Sequence, residues 1–145
     1  MTTNAIWHLR ASLAQLNSAK NTLVEHLGIE FIELGDDYLT ARMPVDHRTV
    51  QPMGLLHGGA SVALAETLGS SGAYLCVDPA KYVVVGLEIN ANHVRAVRDG
   101  WVTGTARPLH RGKTTQLWEI RITDAADKLV CISRLTMAVL DKPAR

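Results

Sequence analysis

The chain has 145 residues and a mass of 15.8 kDa, and fifteen basic against fourteen acidic side chains leave a net charge of +1. That length makes one domain, able to bury roughly 68–70% of its unfolded surface without staples. The charge balance excludes the strongly basic face of a nucleic-acid-binding domain, while a small basic spot for a phosphorylated ligand stays open. Hydrophobic residues make up 47% and aromatics only 5%, so the core is expected to be aliphatic. Near the N-terminus, Asn4, His8, Arg10 and Ser12 interrupt Ile6, Trp7, Leu9 and Leu13, so no signal-peptide core forms. No run of eighteen apolar residues is free of charge, which excludes a spanning helix. Cys76 and Cys131 form no CxxC pair and read as small core residues of a reducing compartment. A soluble, cytoplasmic protein is expected.

The first 27 residues read as helical. Leu9, Leu13 and Leu16 are spaced to share one face, and Thr22 and Glu25 have capping-box spacing ahead of a stop at Gly28. One broken helix is the alternative. After Gly28 the period changes to two. Ile29–Leu34, the turn cluster Gly35-Asp36-Asp37 and Tyr38–Val45 predict a hairpin, with Leu39, Ala41, Met43 and Val45 on one side. Asp46–Gly54 is a loop. His57–Leu75 lacks alternation, is too long for a strand and repeats small residues, which predicts a buried helix about 27 Å long at about 1.5 Å per residue. Its glycines oppose helix formation by roughly 1 kcal/mol each, so tertiary packing must hold it. Tyr82–Val97, Trp101–Arg107, Thr114–Thr123 and Leu129–Leu140 read as strands, and the short links between them favour antiparallel neighbours. The expected fold is α+β: a curved antiparallel sheet wrapped around one long central helix.

Glu66 is the only charged residue between His57 and Lys81 apart from Asp78. An unpaired buried carboxylate is costly, so such a group has a partner, a surface position or a task. Ser70 lies four residues on, on the same helical face, either as a small packing residue or as an assistant to Glu66. His57-Gly58-Gly59 opens the helix, where N–H groups lack intrahelical acceptors and carry the positive end of the dipole. They suit a developing oxyanion; alternatively the glycines permit tight packing and His57 caps the helix. Glu66 is eight residues beyond Gly58, about 12 Å along the axis, and nine beyond His57, nearly opposite at about 100° per residue. One chain therefore cannot bring all three onto one reacting group. A second copy, antiparallel across a twofold axis, can, and two equal shared sites result.

The run Gln51-Pro52-Met53-Gly54-Leu55-Leu56-His57-Gly58-Gly59-Ala60-Ser61-Val62-Ala63-Leu64-Ala65-Glu66 resembles the signature of hotdog-fold acyl-CoA thioesterases of the phenylacetic-acid-degradation type. Val85-Gly86-Leu87-Glu88-Ile89-Asn90-Ala91-Asn92-His93-Val94-Arg95 resembles a narrower group, which includes 1,4-dihydroxy-2-naphthoyl-CoA thioesterase and the proofreading thioesterase of enterobactin synthesis. The likeness runs from about Leu27 to Leu140. It implies a single hotdog domain over 1–145, with Glu66 as nucleophile or general base on water. It also implies the Gly58 N–H polarising the thioester carbonyl with His57 assisting, Gln51 orienting thioester or water, and Ser70 assisting Glu66. Gln51 has a second reading as a loop amide bonded to its own backbone. His93, Arg95 and the turn Arg111-Gly112-Lys113 are candidates to hold the CoA phosphates, or else solvated surface charges. The resemblance further implies homodimers that pair into tetramers.

The expected activity is hydrolysis of acyl-CoA or aryl-CoA thioesters, or of an acyl-carrier-protein thioester bearing the same phosphopantetheine arm. No cofactor is expected beyond CoA as part of the substrate. No His, Cys and acid cluster has metal-ligand spacing, and no GxSxG elbow is present. A hydroxyacyl-thioester dehydratase on the same fold and a non-catalytic acyl-CoA sensor are the competing readings.

Overall fold

In the computed structural model, residues 4–144 are described. Two four-residue helices, α1 (Leu13–Leu16) and α2 (Leu23–His26), precede β1 (Glu30–Leu34) and β2 (Leu39–Pro44). The long helix α3 (Gly58–Leu75) is followed by β3 (Tyr82–His93), β4 (Trp101–Arg111), β5 (Thr115–Thr123) and β6 (Leu129–Asp141). The strands form one six-stranded antiparallel sheet in the order β1-β2-β4-β5-β6-β3, with α3 packed on one face. This is the α+β architecture that the alternation of the strands and the length of the helix predict.

The N-terminal segment is less helical than its leucine spacing predicts. Its backbone bonds outward instead: the Ile6 N–H donates to Asp36, and those of His8 and Leu9 both donate to the Leu75 carbonyl. Trp7 stacks on Trp118 at 6.2 Å between ring centroids and donates its indole N–H to Gly35. Helix α2 starts and stops where expected: Thr22 accepts from the Glu25 N–H, and Gly28 follows at φ +70°. A capping box that the sequence reading did not pick out, Ser12 with Gln15, opens α1.

The β3 neighbour is a correction. Short links favour pairing of β3 with β4, yet β3 pairs with β6 and forms the sheet edge. The strand ends at His93, and residues 94–100 cross to the other side of the sheet. That crossing is pinned by bonds from the Val94 N–H to Val130, from Leu56 to Val97 and from Val45 to Gly100. Those bonds satisfy the backbone that a hairpin turn would have satisfied.

Side chains facing α3 are apolar and sealed, among them Leu39, Ala41, Met43, Val102, Trp118, Ile120, Ile122 and Leu135. Contact is close because glycine stands where bulk faces it. A β-carbon on Gly72 would lie 2.8 Å from the Trp118 ring, which is also fixed by its bond to Gln116. Replacing a helical glycine by alanine normally gains about 1 kcal/mol, whereas overpacking against a rigid buried ring loses about 1–3 kcal/mol. Gly72→Ala is therefore expected to lower stability by up to about 2 kcal/mol in urea unfolding, because the ring has nowhere to move. An unchanged or raised midpoint would show that Trp118 yields.

Candidate active site

Helix α3 turns its leucines to the sheet and leaves a narrow face outward. Ala63, Glu66, Thr67, Ser70 and Ser71 line a groove on that face, and Leu23 and Val24 of α2 form its wall. A second groove continues toward the helix start, lined by Leu23, Ala63, Ala60, Gly59, His57 and Arg48 among others. Leu23 and Ala63 belong to both. The wall residue Leu23 is 61% exposed, a large apolar side chain held over a polar floor. Sequence reasoning missed it, since nothing local in residues 20–28 announces contact with α3.

Glu66 is half-buried, not sealed. Its carboxylate lies against β3, where a β-carbon built on Gly86 would stand 2.7 Å from Oε1. The Ser70 hydroxyl lines the same groove but is directed at Met137 Sδ, 3.8 Å away. Neither cysteine competes as a nucleophile. Burial pushes the Cys76 thiol up to about 11 and raises that of Cys131 as well, so neither is a thiolate near neutrality.

At the other end, His57 is the N-cap of α3. Its Nδ1 accepts the Gly59 N–H at 2.8 Å, so the neutral ring carries its proton on Nε2 and presents a donor outward. The Gly58 N–H, in the first turn, has no intrahelical acceptor. The Gln51 side-chain oxygen accepts the Met53 N–H, the loop-internal arrangement, which leaves its NH₂ group as donor. His57 and Gln51 thus spend their acceptors on their own loop and keep N–H groups as donors.

The unbroken helix keeps Gly58 and Glu66 eight residues, hence about 12 Å, apart. The helix start and the carboxylate are not brought together within one chain. The cationic candidates divide as well. His93 ends β3 with its ring against the helix start, 2.9 Å from where a Gly58 β-carbon would be. Arg95 is exposed and donates to the Leu129 carbonyl. Arg111 reaches the other way, to the Ile6 carbonyl, and the Gly112 N–H is consumed by Thr115 inside the β4–β5 hairpin. Lys113 is exposed. That hairpin lies beside Ala138 and Val139, the partners of Val85 and Val84, so about 26 Å of strand separates it from His93. Among the described residues, no group of three or more His, Cys, Asp and Glu could hold a metal ion.

A thioesterase superfamily model matches residues 53–131. The 1,4-dihydroxy-2-naphthoyl-CoA hydrolase of Escherichia coli is 53% identical over 136 residues, covering 93% of this chain and 99% of that protein. The proofreading thioesterase EntH of Cronobacter turicensis is 55% identical over 136 residues, covering 93% and 98%. The crystal structure of a thioesterase variant from Pseudomonas aeruginosa matches with a TM-score of 0.93 at 54% identity, covering 95% of this chain and 100% of that one.

The cap that His57 makes can be separated from any action of its Nε2–H. His57→Ala removes the cap and is expected to lower stability by about 0.5–2 kcal/mol, whereas His57→Asn retains a capping acceptor and most of that stability. If Nε2–H acts on the bound group, both variants lose turnover alike. Activity that tracks stability across the pair would reduce His57 to a cap.

Proposed function

The chain belongs to the thioesterase superfamily and is a thioester hydrolase, and from this premise we propose that it cleaves aryl-CoA thioesters to the free acid and CoA at a site shared between two copies. The observation that carries this reading is the division of labour along α3: outward N–H donors at the helix start, and the helix's one carboxylate about 12 Å further on.

In the proposed site, the Gly58 N–H and His57 Nε2–H of one protomer polarise the thioester carbonyl, in the positive field of the helix N-terminus. Glu66 of the other protomer either attacks the carbonyl carbon, forming a mixed anhydride that water then hydrolyses, or takes a proton from a water that itself attacks the carbon; either way water supplies the acid's new oxygen and the thiol's proton. The C–S bond breaks, and the sulfur leaves as the CoA thiol. Gln51 NH₂ and the Ser70 hydroxyl orient thioester and water. The apolar wall of Leu23 and Val24 above the hydroxyls of Thr67, Ser70 and Ser71 suits a flat ring bearing polar groups, which supports an aryl acyl group.

Strand β3 supports the second copy. It is a twelve-residue edge strand next to the Glu66 groove, with Val85 43% and Leu87 61% exposed. A long apolar edge calls for a partner. Antiparallel pairing of two β3 strands across a twofold axis exchanges their ends. It brings the Arg111–Lys113 hairpin of one copy toward His93 and Arg95 of the other, a composite basic spot for the CoA phosphates.

Two measurements test the reading. Glu66→Gln is expected to lose at least about 10²-fold in kcat with the fold intact. The assay is thiol release from benzoyl-CoA. A wild type that releases thiol from aliphatic but not from aryl-CoA thioesters would overturn the aryl reading.

For the shared site, Glu66→Ala and His57→Ala chains are unfolded together in equal amounts and refolded. Roughly half of the random pairs are mixed, each with one intact site, so activity is expected to return to about one quarter of wild type. No recovery, with mixed pairs shown to be present, would mean that each chain builds its own site.

A further inference from the structure

Gly86 stands where β3 passes the Glu66 carboxylate. A β-carbon there would lie 2.7 Å from Oε1 and 3.9 Å from Cδ of Glu66, with Met137 Sδ at 3.8 Å. The carboxylate therefore occupies the volume that any other residue at position 86 would fill. Backbone conformation does not explain the glycine, because Gly86 is not among the residues with positive φ. The neighbouring register does bear on it. Gly86 opposes Met137 and Glu88 opposes Thr136, so Leu87 is an extra residue bulged from the ladder. Before the bulge Val84 packs on the core; after it Ile89 and Ala91 do. Gly86 is thus the last inward position before the strand changes face, directly under the groove.

We propose that Gly86 is a positioning residue for thioester cleavage, its absent side chain forming the seat that fixes the Glu66 carboxylate. The proposal rests on Glu66 being the reacting carboxylate. The seat distinguishes Gly86 from the glycines at the helix–sheet contact. At Gly72 the obstructing atoms belong to a sealed ring, and the fold bears the strain. At Gly86 they are the far end of a flexible, half-buried side chain, which swings aside easily. The fold is then little disturbed, but the reacting oxygen is misplaced, and a misplacement near 1 Å can lose about 10²-fold in rate.

The test is a double-mutant cycle of Gly86→Ala with Glu66→Asp, read by steady-state thiol release from benzoyl-CoA and by thermal melting. Gly86→Ala alone is expected to melt close to wild type, to keep KM within about twofold and to lose about 10²-fold in kcat. Asp withdraws the carboxylate from the seat, so adding Gly86→Ala to Glu66→Asp is expected to change kcat hardly at all. Wild-type kcat in Gly86→Ala, beside an inactive Glu66→Gln, would overturn the seat while sparing the catalytic carboxylate. Equal losses in both backgrounds, a loss confined to KM, or disappearance of the melting transition in Gly86→Ala would also overturn it. Retained activity in Glu66→Gln would bring down the seat together with the reading beneath it.

Discussion

The close approach of α3 to the sheet is the constraint from which the rest of the molecule follows. It is made from both sides. A β-carbon on Gly69 would lie 2.6 Å from Leu135 Cδ2, one on Gly72 2.8 Å from Trp118, and one on Gly104, across the interface, 2.7 Å from Leu68 Cδ1. Each helical glycine disfavours α3 by about 1 kcal/mol, while sealing a large apolar side chain contributes about 1.5–3 kcal/mol. Trp118, Leu68 and Leu135 are all fully buried by this approach. Burial wins, and a sequence that is a poor helix in isolation becomes the central element of the fold.

That packing also fixes what faces away. With its leucines committed to the sheet, α3 cannot rotate, and Glu66, Thr67, Ser70 and Ser71 are held outward under α2. The N-terminal segment is fastened independently, by Trp7 on Trp118, by the bonds of His8 and Leu9 to Leu75, and by Asn17, whose side chain both donates to and accepts from the Phe31 backbone. The groove wall is therefore no loose arm. Its position follows from the same core that sets the helix.

The hairpin and the long helix were legible because their signals are local: period-two alternation at Leu39, Ala41 and Met43, and a run of small residues opened by His57-Gly58-Gly59. The place of β3 was not. Link length says which strands can pair, but residues 94–100 satisfy their backbone against Val130, Leu56 and Val45, contacts that exist only once the sheet has formed. The N-terminal leucines had helical spacing, yet long-range backbone bonds took precedence over the turn. The candidate site divides in the same way. Glu66, Ser70, His57 and Gly58 stand at fixed offsets along one helix and could be read from spacing. Gly86 and Leu23 acquire their places only by meeting α3 from distant segments.

The helix start shows why the modest and the functional readings of its residues do not compete. His57 is a cap, and the Gln51 oxygen is a loop acceptor bonded to its own backbone. Each of those roles consumes the group's acceptor. What remains outward is Nε2–H, an NH₂ group and the Gly58 N–H, at the positive end of an eighteen-residue helix. Such a surface welcomes negative charge. The carboxylate that chemistry would require is on the same helix but eight residues away, where α3 permits no bend. Within one chain the donors and the carboxylate stand at different levels of the helix and do not meet. The rigidity that closes the core is thus the property that keeps them apart.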